Sequence, residues 1–386
     1  MYSSPPRICL VAHFAYGALA GGRNGHIGGV EWQTSLTAKW LAARGHDVSM
    51  ITWDEGQPED TCIDGVRVIK LCRRDAGVPI VRFVHPRWTS LNRALRRADA
   101  DVYYQNCGEY VTGQVALWCR RNGRKFVYSI ASDTDCQVDL PEMKAVRERV
   151  LYRYGLRRAD CVIAQTLTQQ RLLRDGFRRP AEVIPMPCRG PDDAAWQPPP
   201  APRGRPPRVL WLARVARQKR PDRYLELAQA CPEIHFDLVG PSDGTEYSEE
   251  VLKDAKNVGN LTVHGPAKRE QLPPIFEQAD CFCSTSEFEG FPNTFLEAWS
   301  HGLPIVSTFD PDGVISAHGL GALANDVPSL AEGLRGLLND PSRWRASAAG
   351  AYRYYYENHR IDAVMPRFEQ IFNELTEARR NGRNAE

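Results

Sequence analysis

Seven prolines, Pro191, Pro198, Pro199, Pro200, Pro202, Pro206 and Pro207, crowd the stretch between Gly190 and Arg208. A run so poor in backbone donors and apolar periodicity cannot be a central strand or helix, so it reads as a linker that divides the chain. On each side of it short apolar runs alternate with helical periodicity. Ahead of it stand Arg7–His13, Asp47–Thr52, Asp101–Gln105, Lys125–Ile130 and Cys161–Ala164. Behind it stand Val209–Ala213, Ile234–Gly240, Leu261–Gly265, Cys281–Thr285 and Ile305–Thr308. Strand, helix, strand order with near-continuous apolar runs specifies parallel sheets buried on both faces. The expected fold is therefore α/β, two Rossmann-like doubly wound domains. Their boundaries are expected at 1–190, a linker at 191–208, a second domain at 209–350 and terminal helices over 351–386. The terminal helices are expected to pack back on the first domain, with Pro366 kinking or dividing them and a disordered tail after Arg379. Ligands of such a pair belong at the carboxyl ends of the strands, in the cleft between the domains.

Composition narrows the functional classes. The chain has 386 residues, enough for two cores, and a formal net charge of only +2 with 25% charged residues. That balance argues against a nucleic-acid binder working by charge alone. Local charge is less even: the segments Arg82–Arg97 and Lys144–Arg179 are rich in Lys and Arg. They read as a solvated arginine face or as a peripheral contact with anionic lipid or an acidic acceptor. Eleven cysteines lie without CxxC pairs or Cys/His ligand spacing, so neither a disulfide framework nor a metal site is expected. A reducing cytoplasm fits, and because no stretch approaches about 18 apolar residues the protein is expected to be soluble or at most attached to the inner face of the membrane. The oligomeric state is not encoded.

The chemistry concentrates in Ser286-Glu-Phe-Glu-Gly-Phe-Pro-Asn-Thr-Phe-Leu-Glu-Ala298. It reads as strand, glycine-bearing turn and a helix opening at Asn293. A helix start presents unpaired N–H groups and partial positive charge, which suits a diphosphate. Glu289 and Glu297 are then free to accept from neutral hydroxyls. Upstream, Arg214 and Lys219 lie five apart just after the Val209–Ala213 strand. Fixed cations there would stabilise a departing diphosphate more in the transition state than in the ground state.

Arg214, Lys219, Glu289-Gly290-Phe291-Pro292, Glu297-Ala298 and the following Gly302-Leu-Pro-Ile-Val306 together resemble the signature of the retaining GT-B glycosyltransferases of family four. The resemblance covers both halves of the chain, more specifically the second. It implies transfer of a hexose, with retention, from a nucleotide diphosphate sugar (UDP favoured) to a hydroxyl acceptor that is a carbohydrate, a lipid-linked sugar or a small molecule. No cofactor is implied. Carried over, Glu289 addresses the sugar and Glu297 the ribose. The backbone of Gly290, Phe291, Pro292 and Asn293 holds the diphosphate with Arg214 and Lys219. The base would sit near His264-Gly265-Pro266 with Leu272 as cover, and Gly240 borders the same site, although close backbone approach explains a glycine there equally well.

In the first half, Gly28-Gly29 resembles the family's glycine-rich loop, which comes close to the donor phosphates and borders the acceptor. It is not the GxGxxG of dinucleotide enzymes, and no GxxxxGK[ST] occurs. Ser129-Ile-Ala-Ser-Asp133-Thr-Asp135 stands where many relatives carry histidine. Asp133 is a candidate to orient or deprotonate an acceptor hydroxyl and equally a helix cap, while His13 is a second acceptor-side candidate or a core residue. Asp310-Pro-Asp-Gly313 departs from the paired glycines of many relatives. A nucleotide-sugar epimerase or hydrolase, or a non-catalytic sugar-nucleotide binder, would carry much of the same donor site.

Overall fold

The computed structural model describes residues 5–21, 28–191 and 205–383. Most of the proline-rich stretch, Gly22 and Gly25 of the glycine-rich loop, and residues 384–386 of the expected tail lie outside the described residues. The chain divides into two compact units, 1–187 with 364–386, and 188–363.

The first unit holds an eight-stranded sheet ordered β3-β4-β2-β1-β5-β6-β7-β8. In chain order these strands are β1 (Ile8–Val11), β2 (Val48–Thr52), β3 (Cys62–Ile63), β4 (Val66–Lys70), β5 (Val102–Asn106), β6 (Lys125–Ser129), β7 (Cys161–Ala164) and β8 (Glu182–Val183). All pairs are parallel except β3 with β4. Every residue of β1 is buried, as a central strand covered on both faces requires. β1 lies between β2 and β5, and the direction of winding reverses there. That reversal opens a crevice beyond the carboxyl ends of β1 and β5.

Two helices on this sheet approach at glycine. A Cβ on Gly113 would lie 2.2 Å from the Leu151 carbonyl oxygen, and one on Gly155 would lie 2.5 Å from the Thr112 carbonyl carbon. The helices Tyr110–Arg121 and Val146–Arg158 therefore touch backbone to backbone.

The second unit carries a six-stranded parallel sheet ordered β11-β10-β9-β12-β13-β14. Its strands are β9 (Arg208–Leu212), β10 (His235–Val239), β11 (Leu261–Gly265), β12 (Cys281–Ser284), β13 (Ile305–Ser307) and β14 (Gly321–Leu323). Here the winding reverses between β9 and β12, which places the residues after both strands at a second switch point.

The terminal helices break elsewhere than the proline suggests. One runs Pro341–Asn358 and the next Ile361–Arg383, so the chain divides at His359–Arg360 and Pro366 lies inside the second helix. The division is fixed by backbone pairing: Cys188 N–H donates to the His359 carbonyl at 2.7 Å, and Ile361 N–H donates to the Cys188 carbonyl at 3.1 Å. Pro366 costs only one intrahelical bond near the helix start, where tertiary packing holds the segment. From Val364 onward the helix belongs to the first unit, where Phe368 and Phe372 meet Tyr104 edge-on, at ring separations of 6.2 and 6.0 Å. Glu369 bonds His46 at 2.7 Å and Arg44 at 3.1 Å.

Candidate active site

In the second unit, the residues after β9 and β12 are stitched together. Gln218 donates from Nε2 to the Phe288 carbonyl at 2.9 Å, Glu287 N–H donates to the Gln218 carbonyl at 2.9 Å, and the Thr285 hydroxyl donates to the Lys219 carbonyl at 2.9 Å. This lacing brings the Lys219 ammonium onto Glu289 Oε1 as an ion pair. The helix then opens at Asn293, as the sequence predicts, with Pro292 at its N-cap.

Both motif carboxylates are already engaged, which corrects the expectation that they stand free. Glu289 is held by Lys219, and Glu297 is held by Arg269 Nη1. Sequence reasoning missed Arg269. Its partner lies 28 residues away, and the only local signal was the turn that follows Gly265. Each side chain of the two pairs is 13 to 28% exposed, so screening by water is partial.

Arg214 is exposed and forms no side-chain hydrogen bond or ion pair among the described residues. Its charge helps hold the Asp243 carboxyl below the usual range, behind the larger effect of hydrogen bonds from Thr245.

Other sequence candidates have structural explanations. Phe291 is buried against Trp299 and His359, with ring centroids 6.0 and 5.0 Å away, so its side chain anchors the turn in the core. Pro292 is also buried. Gly240 has φ +144°, and a Cβ there would lie 1.7 Å from the Ala213 carbonyl oxygen, so close backbone approach accounts for this glycine. Gly265 turns at φ +69° with open space around it, followed by Pro266, while Leu272 is buried at the start of the helix Leu272–Gln278. His264 reaches Asp237 Oδ1 at 2.7 Å, the aspartate that also takes Arg208 Nε at 3.0 Å. Asp310 caps the next helix, accepting from the backbone N–H of Ile315 at 2.8 Å and of Ser316 at 3.1 Å.

The first unit has its own concavities at the β1/β5 switch point. A cavity of about 250 Å³ is lined by His13 after β1, by Gln105 to Cys107 at the carboxyl end of β5, and by Gly28 and Gly29 at the start of the helix Gly29–Ala43. A larger one of about 730 Å³ shares His13 and Glu109 with it and extends over Arg74, Arg82, Arg87 and Glu148.

His13, 7% exposed, tilts against Trp53 at a ring separation of 4.5 Å. Burial, reinforced by the Arg87 charge, pushes its pKa down to about 4, so it is neutral at pH 7. Its Nε2 is buried and has no partner. Glu109 Oε2 stands 4.0 Å from His13 Nδ1. Burial, with repulsion from Glu31 and Asp135 outweighing attraction to Arg74, raises Glu109 to about 7, so it holds a proton over part of the neutral range.

Asp133 is placed elsewhere. It accepts from Gln169 Nε2 at 3.1 Å and lines neither cavity. The buried aspartate of that segment is Asp135, 4% exposed, whose Oδ2 accepts from Gly108 N–H at 3.0 Å and props the turn that presents Glu109. Burial raises Asp135 to about 6, with three backbone N–H groups opposing. Glu109 carries no local motif; Arg82 and Arg87 come from the basic segment seen in the sequence, and the fold brings them to the cavity that Glu109 lines.

All eleven cysteines are free thiols. Among the described residues no helix is long and apolar enough to cross a membrane.

Residues 28–189 match the glycosyl transferase 4-like domain, and residues 206–340 match glycosyl transferases group 1. In sequence the chain is 25% identical over 232 residues to the UDP-N-acetylglucosamine--peptide N-acetylglucosaminyltransferase GtfA subunit of Streptococcus pneumoniae, a stretch covering 57% of this chain and 44% of that protein. It is 30% identical over 104 residues to alpha-galactosylglucosyldiacylglycerol synthase of the same species, covering 25% of this chain and 27% of that one. The chain thus spans under half the length of the relatives it matches in sequence.

Among solved structures, sucrose-phosphate synthase from Thermosynechococcus elongatus superposes with a TM-score of 0.77 at 21% identity, over 96% of this chain and 99% of that one. Anabaena HepE, solved with UDP and glucose, gives 0.73 at 16% identity over 95% and 99%. These likenesses concern the fold, two parallel-sheet α/β domains of GT-B type. The chain belongs to the GT-B glycosyltransferases, a glycosyl transferase 4-like domain followed by a glycosyl transferases group 1 domain.

Proposed function

We propose that the chain transfers a hexose from a nucleotide diphosphate sugar, with UDP as the favoured nucleotide, to an acceptor hydroxyl, with the anomeric configuration retained. The observation that carries this reading is the Lys219–Glu289 pair at the mouth of the helix opening at Asn293, with Glu297 four residues along that helix held by Arg269. Backbone N–H groups of Gly290, Phe291 and Asn293, with Lys219 and Arg214, take the diphosphate. Glu289, oriented through one oxygen by Lys219, turns the other to the sugar hydroxyls. Glu297, oriented by Arg269, accepts from the ribose hydroxyls. The turn at Gly265 and Pro266, with Leu272 beneath, borders the base.

In the reaction the bond from the anomeric carbon to the β-phosphate oxygen breaks and a bond from that carbon to the acceptor oxygen forms on the same face. The acceptor proton passes to the departing phosphate oxygen, and the nucleoside diphosphate leaves. Arg214 and Lys219 meet the growing negative charge, so no metal ion is needed for it. The acceptor is read on the first unit, where His13 and Glu109 face the cavities, and Asp133 is given no part. Such enzymes serve polysaccharide, glycolipid or glycoconjugate synthesis.

Product analysis tests the reading. With a UDP-sugar, an acceptor panel and excess chelator, glycoside forms at the rate seen without chelator. Free sugar or an epimer released without acceptor would instead identify a hydrolase or epimerase, and nucleotide binding without turnover across the panel would identify a sensor.

A further inference from the structure

The larger cavity of the first unit is lined by two chemically distinct groups of residues. One is basic. Arg74 lies over the Phe14 ring at 5.0 Å, and Arg87 lies 5.9 Å from the Trp53 ring and donates from Nη2 to the Arg74 carbonyl at 2.7 Å. Arg82 also lines the cavity. Neighbouring Arg73 pairs with Asp75 at 3.4 Å, but Arg74, Arg82 and Arg87 form no ion pair among the described residues. Arg87 Nε is moreover a buried donor without a partner. The other group is acidic: Glu109, Glu142 and Glu148, with Asp54 and Asp75, which pair with Lys70 and Arg73, and the unpartnered Nε2 of His13 in the same lining.

Three guanidiniums without an ion pair among the described residues line this cavity, and a buried donor left unmade is costly; an anion answers both. A phosphate dianion, with several acceptor oxygens, suits three fork-shaped donors better than a single carboxylate does. Hydroxyls suit the acidic residues, whose carboxylates accept and whose protonated Glu109 can also donate.

We propose that the acceptor is a phosphate-bearing polyol or sugar, its phosphate on Arg74, Arg82 and Arg87 and its hydroxyls toward Glu109, Glu142 and Glu148. This rests on the transferase reading and adds the acceptor's chemical class to it. The same phosphate chemistry occurs on a soluble sugar phosphate and on a lipid headgroup. Val78, Ile80, Val81 and Val84, all more than half exposed beside Arg82, make the lipid source worth a separate arm.

The test titrates the full chain, saturated with UDP, with glucose 6-phosphate against glucose, and with phosphatidylglycerol vesicles against phosphatidylcholine vesicles. One anionic probe is expected to bind at least about tenfold more tightly than its neutral counterpart, and the probe that does so identifies the source. The double variant Arg74→Ala, Arg82→Ala is expected to lose that preference while its circular dichroism and UDP affinity stay unchanged. A control with Arg171→Ala and Arg174→Ala, on the helix Leu167–Phe177 and outside the cavity lining, is expected to keep the preference. Equal or absent binding of anionic and neutral probes, a preference that survives the first double variant, or one lost equally in the control would overturn the proposal. UDP affinity reports on the transferase reading separately, since failure to bind any nucleotide would sink that reading whatever the sugar phosphate does.

Discussion

Replacing Arg214 and Lys219 together with alanine is expected to lower the transfer rate by about a hundred- to ten-thousandfold, read as kcat at saturating UDP-sugar. Each cation contributes charge-assisted hydrogen bonds of about 1.5 to 3 kcal/mol to the departing diphosphate, so losing both raises the barrier by roughly 3 to 6 kcal/mol. Because Lys219 also neutralises Glu289, a single Lys219→Ala change mixes two effects: a lost leaving-group contact and a carboxylate left without its cation. A double-mutant cycle separates them. If Lys219 serves only to neutralise Glu289, Lys219→Ala in a Glu289→Gln background costs little further. If it meets the leaving group, most of its cost persists there. Arg214, which has no ion pair among the described residues to lose, is expected to show the uncomplicated loss of kcat with little change in stability.

The second large effect concerns stability. Gly240→Ala is expected to destabilise the second unit by about 3 kcal/mol or more, because the new methyl must displace the Ala213 carbonyl 1.7 Å away while the backbone holds φ at +144°. Neither neighbour is free to yield. Ala213 N–H donates to the Val239 carbonyl at 3.1 Å, and Gly240 N–H donates to the Gly265 carbonyl at 2.8 Å. Gly265→Ala supplies the control: φ is +69° but no atom lies within 4 Å of the added carbon, so only left-handed strain of about 1 kcal/mol is expected. Denaturant melts of both variants give the comparison. Two structural units can unfold in two steps, so the Gly240→Ala loss is to be read on the transition of the second.

Much of this was legible locally. Buried parallel strands announce themselves as apolar runs, and β7 and the helix start at Asn293 fall where the sequence places them; β11 does too, although as an edge strand it is largely exposed. Short flanking strands were not: β3, β8 and β14 have two or three residues each, too few for any periodicity, and β4 shows it only as Val66-Arg-Val-Ile. The donor-side motif was legible in identity but not in state. Glu289 and Glu297 are recognisable from spacing, yet their pairing with Lys219 and Arg269 spans 70 and 28 residues and arises only when loops after different strands meet. Phe291 illustrates the converse, since a residue within a ligand-binding motif is itself part of the core. On the first unit the aspartate pair 133 and 135 was visible, but which one is buried depends on Gly108, whose missing side chain leaves room for Asp135. Arg82 and Arg87 belong to the basic segment visible in the sequence, whereas Arg74 and Glu109 join them in one cavity only through topology.

The most direct measurement of the central claim, a nucleotide-sugar site on the second unit built from Lys219, Glu289, Arg269 and Glu297, is thermal unfolding across a panel of nucleotide sugars. The account predicts that one donor at 100 times its dissociation constant adds about 2.7 kcal/mol of stability, and that Glu297→Ala and Arg214→Ala each shrink the gain at that concentration. No stabilisation by any nucleotide sugar, or a gain unchanged in both variants, would contradict it.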